Sequence, residues 1–128
     1  MAQLPFVPGR HAIEAYGGGG FRFAGMSHVG SVLVTPSGIS AVAAASIAEV
    51  GDDALAPLIA ELDAAPGAVE LLLVGTGAGP ARLSEALTRR LRAPGLRFET
   101  MATGAAARVY NVLVEEGRRV GALLIAVA

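Results

Sequence analysis

Residues Phe98 to Leu124 read FETMATGAAARVYNVLVEEGRRVGALL. A short β-prone run is followed by an Ala- and Val-rich segment, a break at Glu116-Gly117, and the apolar run Val120-Gly121-Ala122-Leu123-Leu124. Strand, helix and strand in that order predict parallel strands joined by a helical crossover. Thr103 is placed to N-cap the helix, which runs to about Glu115 with Ala106, Val109, Tyr110 and Leu113 on its apolar side. Parallel strands need cover on both faces, so this stretch points to a layered α/β domain.

The same alternation extends upstream. Val69 to Val74 is an uninterrupted apolar strand, and Pro80 to Arg92 a helix with Leu83, Leu87 and Leu91 inward. Leu96 to Met101 is the next strand and Val120 to Val127 the last, which makes the C-terminal half βαβαβ. Residues 12–16 and 21–23 flank Gly17 to Gly20 and predict an N-terminal β-hairpin. Residues 29–34 read as a buried strand closed by Thr35-Pro36-Ser37-Gly38, and Ile39 to Val50 as a strand followed by a loop. Asp52 or Asp53 is the expected N-cap of a helix through about Asp63, with Leu55, Leu58, Ile59 and Leu62 on one face and Pro57 in the first turn. Residues 1–10, with Pro5, Pro8 and Gly9, form an extended arm. The expectation is a single α/β domain over residues 1–128, three layers deep, with a central mixed sheet to which the hairpin lends antiparallel character.

Composition narrows the chemistry. A net charge of −1 gives no electrostatic reason to expect nucleic acid. All ten basic residues are Arg, so no Schiff-base or P-loop lysine exists. The chain has no Cys, which removes thiol nucleophiles, disulfides and thiolate metal sites. The two His, His11 and His28, fit no metal-ligand spacing, so neither metal nor cofactor is expected. The apolar runs Ile39 to Ala48 and Val120 to Ala128 fall short of the roughly 20 residues a spanning helix requires. MAQLPFVPGRHAI lacks the pattern of a secretory leader, and the expected location is cytoplasmic.

Gly75-Thr76-Gly77-Ala78-Gly79-Pro80 leaves a buried strand and approaches a helix, where free backbone N–H groups would suit an anion. Glu99 lies near the spacing of a ribose-binding acid, but Pro80 stands where the dinucleotide fingerprint needs Gly, and a plain strand-to-helix turn is the simpler reading. Arg108, Asn111 and Glu115 share one face of the 103–115 helix. Two readings of this helix stay open. Tyr110 and Asn111 satisfy buried backbone groups near a sheet edge. Alternatively, Gly75, Thr76, Gly77, Thr103, Arg108, Tyr110, Asn111 and Arg118 surround a polar pocket at the carboxyl ends of the parallel strands.

Three segments together carry a resemblance: FRFAGMSHVGSVLVTPSG (21–38), LLLVGTG (71–77) and ETMATGAAARVYNVLVEEGRRVGALL (99–124). Over Ile13 to Val127 the chain resembles the MTH-type small α/β domain family of largely unknown function. Its members include a mitochondrial respiratory complex I assembly factor and an adipogenesis-associated domain protein. The resemblance implies a three-layer α/β fold and an assembly or interaction factor in place of an enzyme. Where the family has Met-Asp-Thr, this chain has Met101-Ala102-Thr103, so the carboxylate best suited to act as a base is missing.

The functional expectation is a non-catalytic interaction factor that assists a respiratory or other membrane complex through peripheral contact with a protein partner. The alternative is a small anionic-ligand-binding protein, or a weak enzyme, using the pocket. A free sheet edge or the apolar arm offers a route to a homodimer.

Overall fold

The computed structural model describes residues 6–128. At its centre lie β7 (Leu71–Gly75) and β9 (Val120–Leu124), parallel neighbours in register from Leu71↔Val120 to Gly75↔Leu124. β8 (Phe98–Met101) lies parallel on the far side of β7. On the other flank β9 pairs antiparallel with β5 (Ser31–Thr35), β5 with β6 (Gly38–Val42), and β6 with β1 (Phe6–Pro8). The sheet is therefore mixed, with strand order β1-β6-β5-β9-β7-β8. Among the described residues three α-helices accompany it: α1 (Asp52–Ala64), α2 (Glu85–Arg92) and α3 (Thr103–Glu115).

Two-sided burial follows from the alternation of side chains along each strand. Leu33, Leu72, Val74 and Leu123 face one way and pack with Leu55, Leu58 and Leu62 of α1 and Leu87 and Leu91 of α2. Val32, Val34, Leu73, Ala122 and Leu124 face the other way, against Ala106, Ala107 and Tyr110 of α3 and against Ile13, Phe21 and Phe23. Each fully buried Leu or Val contributes roughly 1.5–3 kcal/mol, so the central strands carry much of the core energy. The expected three-layer α/β fold with a βαβαβ C-terminal half is the one observed.

Several local expectations are corrected. The predicted hairpin forms between β2 (Ala15–Gly17) and β3 (Gly20–Phe23), but it belongs to a separate three-stranded sheet with β4 (Met26–Val29). The antiparallel part of the main sheet comes from β1, β6 and β5 instead. Residues 29–34 are not one strand. Gly30, at φ +106°, turns the chain from one sheet to the other and leaves Val29 85% exposed.

Of the expected arm, residues 1–5 lie outside the described residues, while Phe6, Val7 and Pro8 form an edge strand. Gly51, not an aspartate, occupies the N-cap of α1, with Asp52 and Asp53 in the first turn, where the helix dipole favours them. Pro57 is further inside the helix than expected, and its exposed position leaves the carbonyl of Asp53 to solvent. The expected helix from Pro80 begins only at Glu85, capped by the Ser84 hydroxyl, which accepts from the Leu87 N–H at 3.1 Å. Val109 lies outside the apolar face assigned to it. The buried stripe of α3 is Thr103, Ala106, Ala107 and Tyr110.

The turn between β3 and β4 uses Ala24 and Gly25, both at positive φ (51° and 72°). Ala24 pays a left-handed conformational cost that Gly avoids, of about 1–2 kcal/mol, offset in part by glycine's greater unfolded-state entropy. Ala24→Gly is expected to raise stability by about 0.5 kcal/mol, seen as a higher urea midpoint at unchanged slope. A lower midpoint would contradict the turn geometry.

Candidate functional site

The strand-end cluster is a structural knot. Gly75 ends β7 against α3, where a Cβ would come within 2.8 Å of the Thr103 Cα and 3.1 Å of Leu124 Cδ2. Only glycine lets the helix start so close to the sheet. The Thr103 hydroxyl donates to the Ile125 carbonyl at 2.7 Å and accepts from the Gly77 N–H at 3.0 Å. Its backbone N–H donates to the Gly77 carbonyl at 2.8 Å. Thr103 is thus the first helical residue, with Ala102 at the N-cap, and its hydroxyl ties three segments together where a cap had been expected.

The Thr76 hydroxyl is equally committed. It sits 2.9 Å from the Gly79 carbonyl and 3.2 Å from the Met101 carbonyl, and accepts from the Ala81 N–H at 3.0 Å. These bonds hold residues 77–81 as a closed loop and delay α2 to Glu85.

The second group lies one helical turn and more along α3. The Tyr110 ring is 1% exposed, and its hydroxyl donates to the His11 carbonyl at 2.7 Å. Burial pushes the phenol up to about 12, against a smaller opposing effect of the Arg10 charge. The Asn111 side-chain amide accepts from the Ile13 N–H and donates to the Ile13 carbonyl, both at 2.8 Å. It pairs with that residue as a neighbouring strand would and holds the segment entering β2 against α3.

Arg108 stays exposed, with its guanidinium 3.4 Å from the Tyr16 hydroxyl. Tyr16 lies over Gly104, where a Cβ would meet the phenol ring. Ile13, Glu14, Ala15, Tyr16, Ala107, Arg108 and Asn111 line an open cleft of about 300 Å³.

Arg118 belongs to neither group. It precedes β9 and pairs with Glu70, before β7, at 2.8 Å, at the end of the parallel strands opposite to Thr76. The Arg118 guanidinium and the Arg119 backbone N–H hold the Glu70 carboxyl below its usual range. The eight candidate residues therefore divide into a knot (Gly75, Thr76, Gly77, Thr103), a clamp with a cleft beside it (Arg108, Tyr110, Asn111), and an ion pair at the far end (Arg118). Among the described residues, no group of three or more His, Asp or Glu is placed to hold a metal ion.

A family model described as a protein of unknown function (DUF498/DUF598) matches residues 13–125. The chain belongs to this family. An uncharacterised protein of Rhodobacter capsulatus is 44% identical over 121 residues, covering 94% of this chain and 89% of that protein. The DUF498/DUF598 chain is also similar to a solved structure described as an outer membrane protein from Bartonella henselae, at TM-score 0.85 and 45% identity, covering 94% of this chain and 98% of that one. A Bordetella pertussis protein described as a Mth938-like domain aligns at TM-score 0.73 and 29% identity, covering 90% of this chain and 85% of that one. The resemblance to an MTH-type domain drawn from the sequence is borne out.

Sequence reading missed the contribution of Tyr16 and the exposure of Val112, which is 57% accessible. Tyr16 lies 88 positions before Gly104, and nothing local in the sequence announces their contact.

Two expectations follow for this DUF498/DUF598 chain. Asn111→Leu leaves the buried N–H and carbonyl of Ile13 unpaired, at about 1–3 kcal/mol for each group. A loss of about 3 kcal/mol in denaturant unfolding is expected, with faster amide exchange at Ile13; unchanged exchange there would contradict the clamp. Tyr110 holds its proton more tightly in the fold, near 12, than in the unfolded chain, near 10. Its contribution is complete below pH 10 and is lost as pH rises from 10 to 12, by about 3 kcal/mol across the window. Stability measured against pH is expected to fall over that range, and less steeply in Tyr110→Phe.

Proposed function

We propose that this DUF498/DUF598 chain is a non-catalytic interaction factor, which acts from the cytoplasm on a protein partner during assembly of a membrane-associated complex. One observation carries the reading. The hydrogen-bonding groups of Thr76, Thr103, Tyr110 and Asn111 are spent inside the fold, while the same helix α3 presents Val109 and Val112 to solvent beside Arg108. Val109 is 37% and Val112 57% exposed, and their i, i+3 spacing puts them on one helical face. Apolar side chains flanked by an arginine suit recognition of a protein surface. The resemblance implies an aspartate at position 102, and Ala102 supplies no carboxylate base there.

The membrane-complex part of the proposal draws on the resemblance to a mitochondrial assembly factor and on the Bartonella relative described as an outer membrane protein. Among the described residues, no helix is long and apolar enough to cross a membrane. The contact we propose is therefore peripheral. The alternative, a small anionic ligand at the strand ends, loses force because both threonine hydroxyls there are committed to backbone partners.

A photo-crosslinking residue at position 112, compared with one at exposed Asp63 on α1, tests the proposal. The expected result is an adduct with a membrane-complex subunit from position 112 alone, weakened by Val109→Asp. No adduct, or the same adducts from both positions, would sink it.

A further inference from the structure

Among the described residues, β8 is the outermost strand on its side of the main sheet, paired only with β7. The ladder determines which backbone groups it leaves free. The Leu72 N–H donates to the Arg97 carbonyl and the Thr76 N–H to the Met101 carbonyl, both at 2.9 Å. A parallel ladder engages alternate residues, so Arg97, Glu99 and Met101 turn their backbones toward β7. The N–H and carbonyl groups of Phe98 and Thr100 consequently point away from the sheet. Proline, bulges, charge and shortness are the usual devices that blunt an edge. β8 is short and carries Glu99 beside Arg97, but it has neither proline nor bulge and pairs in unbroken register from Leu72↔Phe98 to Gly75↔Met101, and its two charges are opposite in sign. The opposite edge strand, β1, ends in Pro8.

We propose that β8 is a self-association edge, pairing antiparallel with β8 of a second copy about a two-fold axis through Phe98, so that the two main sheets become continuous. The side chains select both the occupant and the register. With the axis at Phe98, Arg97 stands opposite the partner's Glu99, and Glu99 opposite the partner's Arg97. These two ion pairs are related by symmetry and formed from side chains that are exposed in the single chain. On the other face of the sheet, Phe98 meets the partner's Phe98. Phe98 is only partly buried in the single chain, beneath the Arg92 guanidinium at 6.0 Å from its ring centre. Directly opposed aromatic and opposite-charge pairs are the units that stabilise antiparallel strands.

Moving the axis to Glu99 would set that carboxylate against the partner's Glu99, a like-charge pair that opposes association. Moving it to Thr100 would set Glu99 against an apolar partner, the partner's Met101, and lose both ion pairs. Of the three registers, the first alone uses the charges constructively. The edge is four residues long, so the dimer is a weak, concentration-dependent one. Its ion pairs lie at the surface, which makes it sensitive to salt.

Sedimentation equilibrium of the full chain, from micromolar to millimolar concentration at low salt, tests the proposal. The weight-average mass is expected to rise from 12.9 kDa toward twice that value, and to fall back on addition of salt. Glu99→Arg, an exposed substitution, is expected to weaken association by about tenfold or more. The double variant Arg97→Glu with Glu99→Arg is expected to restore it, because the opposed pairs are simply exchanged. Concentration-dependent amide shifts at Phe98 and Thr100 locate the contact independently of any variant. A chain that stays at 12.9 kDa throughout, or whose association ignores Glu99→Arg, overturns the proposal. Failure of the double variant to restore association overturns the register.

Discussion

The hydroxyl of Thr103 holds the meeting point of three strands' worth of structure. It donates to the carbonyl of Ile125 just beyond β9 and accepts from the N–H of Gly77 just beyond β7, while its own backbone N–H returns to the Gly77 carbonyl. These bonds form where Gly75 lets α3 approach the sheet without a Cβ between them. A buried hydroxyl with both its donor and its acceptor role filled is worth more than either bond alone, because each lost partner would leave a desolvated group behind. From this point the direction of α3 is set, and so is the side of the sheet that it covers.

The consequence runs along α3 to the N-terminal segment. Once the helix lies across the sheet, Tyr110 and Asn111 reach the backbone of His11 and Ile13. The small sheet β2-β3-β4 then completes that layer, with Phe21 and Phe23 buried beside Tyr110. Polar residues on a helix facing a core are costly unless fully paired. Here they are paired with main-chain groups of a segment that would otherwise have an unsatisfied edge. The two faces of this helix are therefore unlike: one is used up by the fold, and the other leaves Val109, Val112 and Arg108 exposed.

The architecture was legible in the sequence because its signals are local and strong. Leu71 to Gly75 and Val120 to Leu124 are apolar without interruption, and the helices between them have clear inward leucines, such as Leu87 and Leu91. Boundaries were less legible. The start of α2 moved to Glu85 because Thr76 bonds to Gly79 and Ala81, a contact that competes with helical turns and is invisible to periodicity. The apparent strand over residues 29–34 broke at Gly30 because a run of apolar residues does not say where the chain changes sheets. Val109 looked like a core residue because Val, Tyr and Leu at helical spacing match two overlapping stripes equally well.

The sequence by itself determined the mixed α/β order, the family, and the small set of polar residues worth following, since residue type and spacing suffice for each. Tertiary structure alone decided what those residues do. Thr76, Thr103, Tyr110 and Asn111 became anchors because their partners are backbone atoms up to 99 positions away. Arg118 was separated from the rest because parallel strands place its loop at the opposite end of the sheet from Thr76. Which hydrogen bonds a side chain can complete depends on distances through space, and those exist only after the sheet has ordered its strands.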